Sequence, residues 1–341
     1  MMIACAHASK KRKGFDRKGN QRWQCLTCGK TWIEAQPKPL GKMTVPVGDA
    51  KLVLRLLCEG SSIRGASRIT GLHQGTILKL LVHFGEACQR FLDERLRGLT
   101  LEHLECDEQW SYIRKKQARL TLEERVRCHD LGDIYIWTAV DERTKLLLTF
   151  YIGKRTGDSA RRFMLDIASR LVWPKPHASD DHAYRPGAFK RLIRFSTDAF
   201  VAYGEAIDLA FGPYSRWGTI IKTFRNARIV YEPSEMIGVK RTPRRGIAPE
   251  DASIITTSHV ERLNGTQRLF LRRLNRLTYC FSKKLRNLEA AFAMFAAYYN
   301  FIWRTRKPGK TGKRRPTAAM MANVTDHIWT FDELFEVVLS G

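Results

Sequence analysis

Apolar residues recur every three to four positions through residues 47–88, and near residue 101 the pattern changes to the alternation of strands. The first helical stretch, 47–57, carries Leu52, Leu56 and Leu57 on one side and stops at Gly60. Ser61-Ser62 opens a second helix over 63–70, and Gly71 supplies a turn. A third helix over 74–88 has Ile77, Leu80, Leu81 and Phe84 at core spacing. This is the layout of a helix-turn-helix, although a three-helix bundle with no DNA role has the same apolar pattern. In a helix-turn-helix the third helix enters the major groove, so His73, Gln74, Thr76 and Lys79 are its candidate DNA contacts.

Strands are predicted at 101–113, 134–140 and 146–152, the last two joined by the polar turn Asp141-Glu142-Arg143-Thr144-Lys145. A helix over 159–171, with Phe163, Ile167 and Leu171 on one face, leads to a strand at 192–195 that runs into Ser196-Thr197-Asp198. Strand, hairpin, helix and strand, with Asp107 inside the first strand and Asp198 after the fourth, is the order of a ribonuclease-H-like fold. A third carboxylate is then expected on a helix. Residues 258–268 supply it: Val260, Leu263, Gln267, Phe270 and Leu274 mark the buried face, and Glu261, Asn264 and Arg268 share an adjoining stripe.

From a Ser282 cap onward, Leu285, Leu288, Phe292, Phe295, Tyr299 and Ile302 repeat at helical spacing. This is most simply a core helix, with a dimer interface as the second reading. Residues 307–315 read as a flexible basic linker and 330–339 as a short terminal helix. The expected fold class is multidomain α/β. A zinc-ribbon-like module occupies 1–36, a helix-turn-helix domain 37–98, and a ribonuclease-H-like mixed-sheet domain 99–305, followed by the basic linker and short helix at 306–341. Within the sheet domain, 173–191 is expected to be a loop rich in proline. Residues 211–253, with Lys240-Arg241-Thr242-Pro243-Arg244-Arg245-Gly246, are expected to be a partly irregular basic insertion that contacts DNA or is merely solvated.

Charge narrows the partners. Lys and Arg number 59 against 34 Asp and Glu, a net +25, and the isoelectric point is near 10.0. Cations dispersed along the whole chain favour a nucleic acid, whose phosphates release counterions on binding, over a membrane surface. No secretory signal is readable at the start of the chain. The longest apolar run, 290–303, falls short of the ~20 residues of a membrane helix and contains Asn300. A cytoplasmic, nucleoid-associated protein of a bacterium or archaeon is expected. The scattered Cys58, Cys88, Cys106, Cys128 and Cys280 suggest buried thiols in a reducing compartment.

Cys25 and Cys28, two residues apart and followed by Gly29, form a knuckle that supplies half of a tetrahedral zinc site. A second such pair is expected near Cys5, but position 8 is Ala8, which leaves Cys5 and His7 as the remaining Zn²⁺ ligands. The alternative is a relic knuckle that holds no metal.

Three strings resemble the transposases of the insertion-sequence-one family. They are D-E-Q-W-x-Y at Asp107 to Tyr112, T-D-x-x-x-x-Y at Thr197 to Tyr203 and H-V-E-R-x-N-x-x-x-R at His259 to Arg268. The knuckle and the helix-turn-helix upstream follow the same family order. The resemblance implies a catalytic triad of Asp107, Asp198 and Glu261 that binds Mg²⁺ or Mn²⁺, with Asn264 and Arg268 on DNA. It further implies double-stranded DNA, both element ends and target, as partner, and a homodimer or higher assembly on that DNA. Hard carboxylate oxygens suit two such ions, which stabilise the attacking and leaving oxygens of a displacement at phosphorus. Glu105, Glu108, Asp141 and Glu205 are neighbouring carboxylates easily mistaken for members of the triad. An inactive copy acting as a DNA-binding repressor, or a structure-selective nuclease of the same fold, are the alternative functions.

Overall fold

The computed structural model describes residues 5–17, 19–33, 38–172, 192–225, 235–275, 278–307, 309 and 311–340; the loop expected at 173–191 lies outside them. The chain divides into two compact units, Met1–Val45 with Ser340–Gly341, and Pro46–Leu339. The helices expected as a separate domain over 37–98 therefore belong, from Pro46 on, to the same unit as the large sheet.

The small unit is a three-stranded antiparallel sheet of β1 (Lys10–Phe15), β2 (Gln21–Cys25) and β3 (Thr31–Ile33). Trp23 lies opposite Arg12 on one side and Trp32 on the other. Among its described residues only Cys25 and Leu40 are buried apolar side chains.

The large unit begins with α1 (Val47–Cys58), α2 (Ile63–Thr70) and α3 (Gln74–Arg95). Local signals set α2: Ser62 Oγ accepts from the Gly65 N–H at 2.9 Å, and Gly71 ends it at φ 72°, a left-handed conformation that favours glycine. The buried face of α1 is Ala50, Val53, Leu54 and Leu57, whereas Leu52 is 45% exposed, so the stripe expected from Leu52 is rotated. Helix α3 continues to Arg95 because Phe91 and Leu92 extend its apolar stripe.

The sheet contains β4 (His103–Ile113), β5 (Gly132–Asp141) and β6 (Leu147–Gly153), with α4 (Leu122–Arg127) between the first two. After α5 (Gly157–Arg170) come β7 (Ile193–Thr197), α6 (Ala202–Phe211), β8 (Ser215–Arg225) and β9 (Glu235–Arg245). The strand order is β6-β5-β4-β7-β8-β9. β4, β7 and β8 are mutually parallel, and β5, β6 and β9 pair antiparallel with their neighbours. Among the described residues of 211–253, where an irregular insertion was expected, β8 and β9 form an antiparallel pair. The basic run lies in an edge strand, where Pro243 withholds no ladder bond from a further neighbour.

Helices cover both faces. Alternation along β5 turns Trp137 towards α5 and α6, where Phe163 and Tyr203 lie 5.9 and 5.7 Å away between ring centres. The next residue, Thr138, faces α7 (Ser258–Phe270) and accepts from Gln267 Nε2 at 3.4 Å. On the same face Phe150 meets Phe292 of α8 (Leu285–Phe301) at 4.6 Å. The Asn300 amide of α8 binds both the N–H and the C=O of Leu147 on the edge strand β6. Ser282 is not the cap of α8; it is buried, accepts from Arg273 at 3.0 Å, and Lys284 occupies the cap position. Helix α8 is buried along nearly its whole length, from Leu288 to Phe301, so its apolar stripe is consumed within the chain and not offered to a dimer partner.

The described residues of the expected free linker are paired, with Arg306 bridged to Arg314 and the Lys307 N–H donating to the Lys313 carbonyl at 2.9 Å. Then follow α9 (Ala318–Met321) and α10 (Phe331–Ser340), whose Phe331 and Phe335 pack on Phe84 of α3. Cys58, Cys88 and Cys106 are buried, but Cys128 and Cys280 are exposed, contrary to expectation. Among the described residues no helix is long and apolar enough to cross a membrane.

Helices α3 and α8 pack closely at Gly85, where an added Cβ would lie 2.2 Å from the backbone oxygen of Ala290. The obstacle is backbone and cannot swing aside, so the helices must separate. Gly85→Ala is expected to lower the unfolding free energy of this unit by about 3 kcal/mol, read as a lower denaturant midpoint; an unchanged midpoint contradicts the contact.

Candidate active site

The parallel register of β4 and β7 pairs Glu105 with Ser196. Carried two residues onward, it sets Asp198, just past the end of β7, beside Asp107. Asp198 is oriented by its own loop, since Oδ1 accepts from the Phe200 N–H at 2.9 Å. Carboxylate oxygens of Asp107, Glu108 and Asp198 lie within 4.8 Å of one another. Glu108 pairs across the ladder with Trp137 and therefore belongs to the α5–α6 side of the sheet, whereas Asp107 pairs with Thr138 and looks towards α7.

Helix α7 is locked to the first strand at two points. Its N-cap residue Thr257 provides no capping bond to the helix, and Glu105 does so from β4. The buried Oε2 of Glu105 accepts the N–H groups of His259 and Val260 at 2.7 and 2.9 Å, where the helix dipole favours an anion. One turn later Asn264 Nδ2 donates to Asp107 Oδ2 at 2.6 Å. Glu261 lies on this helix but outside the tight cluster: it is 44% exposed, ion-paired with Lys222 of β8, and accepts from Thr257 Oγ1 at 2.7 Å. Arg268 lines a shallow depression farther along α7 with Gly265, Arg272, Asn275 and Tyr279.

Arg155 was not anticipated. It sits between β6 and α5, stacks on Phe200 at 4.1 Å, and joins Glu108 Oε1 at 3.1 Å to Asp198 Oδ2 at 2.9 Å. Lys222 and the capping role of Glu105 were missed as well. The one available signal was the crowding of Glu105, Asp107 and Glu108 in four residues of a largely buried strand, which demands cations and N–H donors from elsewhere.

Burial pushes Asp107 up to about 6, with the Asp198 charge and then Glu261 adding to it. Burial and then Asp198 push Glu108 up to about 8. Glu105 rises to about 7, again from burial, although the two helix N–H groups pull it back. A folded chain thus retains protons that the unfolded chain loses near the ordinary values of 3.8 and 4.5. The stability these groups contribute is complete below those values and is lost as pH rises through 6, 7 and 8. The denaturant midpoint of the sheet unit without added divalent ions is expected to fall between pH 5 and 8, and Mg²⁺ is expected to flatten the decline. A midpoint that rises over that range contradicts the shifts.

The donor set fits a hard divalent cation. The oxygens converge, the Glu108 side chain is only 1% exposed, and its buried Oε2 has no hydrogen-bond partner. Octahedral ligands held at about 2.1 Å are about 3.0 Å apart when adjacent and about 4.2 Å when opposite, so these oxygens, within 4.8 Å of one another, close in when an ion is bound.

No protein-family model matches the chain, and no curated protein matches it. What the molecule does must be read from its own geometry.

In the small unit Cys5, His7, Cys25 and Cys28 converge, with Cys5 and Cys25 sulfurs 3.7 Å apart and Cys28 Sγ 3.3 Å from His7 Nδ1. A tetrahedral ion with Zn–S bonds of about 2.3 Å has sulfur–sulfur edges of about 3.8 Å, so the spacing suits zinc without rearrangement. The Cys28 backbone N–H, and then His7, hold the Cys25 thiol down at about 6, which favours the thiolate a metal needs. His7 takes the place expected of position 8, in a left-handed conformation at φ 52°.

In the helical region Gln74 and Lys79 are exposed and Thr76 is half-buried. His73 is committed to capping α3: its Nδ1 accepts from the Gly75 N–H at 3.1 Å, so it is a poorer base-reading candidate than the sequence suggests.

Proposed function

We propose that the protein is a DNA transposase with a ribonuclease-H-like core, which cuts element ends and joins them to target DNA. The observation that carries this reading is the meeting of Asp107, inside β4, with Asp198, just past the end of the parallel strand β7, and the bond from Asn264 of α7 to Asp107. The strand, hairpin, helix, strand order of the large sheet supports it, as does the net charge of +25.

Asp107, Asp198 and Glu261 would hold two Mg²⁺ or Mn²⁺ ions, with Glu108 beside them. When bound, such ions supply Lewis-acid stabilisation of the entering and leaving oxygens in an in-line displacement at phosphorus. The chain's own residues do the positioning. Asn264 occupies one oxygen of Asp107 and so fixes the direction of the other. Glu105 sets the distance of α7 from β4, and the Arg268 guanidinium grips a backbone phosphate next to the scissile bond. Gln74, Thr76 and Lys79 contact the element end through α3 in a helix-turn-helix, and the zinc-ribbon-like unit adds a second DNA contact.

A strand-transfer assay with end-bearing DNA and Mg²⁺ tests the proposal, with cleavage followed by joining expected. Binding without cleavage makes the protein a repressor, and cleavage without joining makes it a structure-selective nuclease.

A further inference from the structure

Beside the carboxylates is a shallow, open depression lined by Arg155, Asp198, Phe200, Val201, Ile221 and Lys222. Both of its cations are engaged by acids: Arg155 by Glu108 and Asp198, Lys222 by Glu261. The oxygens they occupy belong to the group that divalent ions require, so these side chains and the ions compete for the same atoms. In the ion-free protein the two cations relieve part of the repulsion among four acids, Asp107, Glu108, Asp198 and Glu261. Two bound divalent ions would reverse that balance and leave a guanidinium and an ammonium beside an open floor without counter-charges.

We propose that Arg155 and Lys222 form a seat for a phosphodiester of the DNA strand, holding the carboxylates in the ion-free protein and passing to strand phosphates when divalent ions take the oxygens. The inference rests on the assignment of those ions under the proposed function. The chemistry selects the ligand. A guanidinium presents a planar fork that matches two phosphate oxygens, and Lys222 adds a flexible point charge on the neighbouring strand. Phe200 underlies the guanidinium and Val201 is 87% exposed, so the floor offers apolar contact to a sugar or base. The depression is open, as a continuous strand requires.

Two titrations on the full chain test this without reading cleavage. Mn²⁺ binding is measured without DNA. Binding of a fluorescent duplex is measured in Ca²⁺ over a range of salt, with inorganic phosphate as competitor to separate a free anion from a strand. Lys222→Gln and Arg155→Gln are each expected to tighten Mn²⁺ binding several-fold, because a competing cation is gone. The same variants should weaken duplex binding by about tenfold and reduce the salt slope by about one, while Lys222→Arg keeps duplex affinity near wild type. Weaker binding of both ligands would mean that these residues merely brace the site, and an unchanged affinity for either ligand overturns the proposal equally, as does displacement of the duplex by millimolar phosphate. A protein with the opposed shifts that never cuts DNA keeps the seat and loses the transposase reading; one that cuts while both affinities fall does the reverse.

Discussion

Asp107→Asn is expected to abolish tight Mn²⁺ binding and to lower strand cleavage by at least about 10³-fold, equivalent to about 4 kcal/mol of transition-state stabilisation. Asparagine has the same shape, so the packing of β4 and the contact with Asn264 are retained and the charge alone is lost. Asp107 is the residue on which the other elements converge: Asp198 and Glu261 both raise its affinity for a proton, and Asn264 bonds to it. Removing a carboxylate held up at about 6 by burial should leave the ion-free fold as stable or more stable, which separates loss of chemistry from loss of structure. Glu261→Gln should cost a comparable factor and Glu108→Gln only about tenfold, since Glu108 also serves Arg155. The opposite ranking would make Glu108 the third ligand. Full activity of Asp107→Asn would remove the site assignment altogether.

Chelation of zinc is expected to unfold the three-stranded sheet of the small unit while the large unit keeps its thermal midpoint. Strand β1 is exposed at every position, and among the described residues the small unit buries only Cys25 and Leu40 as apolar side chains. A module of this size cannot offset its conformational entropy from so thin a core. The binding energy of a structural zinc, about 10–16 kcal/mol in finger peptides, would supply what burial does not. One zinc per chain and collapse of the β1–β3 amide dispersion on adding a strong chelator are the expected results, with weaker binding to element ends as the consequence. Persistent dispersion in protein containing far less than one zinc per chain would leave the four ligands as a relic.

Elements with their own punctuation were legible without the structure. Helix α2 was bounded by Ser62 and Gly71, and the burial of Val260, Leu263, Gln267 and Phe270 in α7 followed from their spacing, because capping and helical period act within a few residues, whereas Asn264, expected on the adjoining stripe, is buried against Asp107. The β8–β9 pair escaped notice. Its edge strand β9 is largely exposed, rich in Lys and Arg and interrupted by Pro243, and an edge strand of that kind lacks the apolar alternation on which a strand reading depends. Ser282 resembled a helix cap but is held by Arg273 and the end of β4.

By itself the sequence determined the helical and strand periods, the Cys25–Cys28 knuckle, the candidate acids and the net charge of +25, all properties of single residues or of close neighbours. Only the tertiary structure decided which acids meet. The register between β4 and β7 is made of backbone hydrogen bonds that carry no side-chain signature, and it brings Asp107 to Asp198 while leaving Glu261 with Lys222. Arg155 reaches Glu108 and Asp198 across 47 and 43 residues of chain, and Asn264 reaches Asp107 across 157. Such contacts exist because burying several charges together is costly, and the fold answers with whichever donors its topology brings within reach.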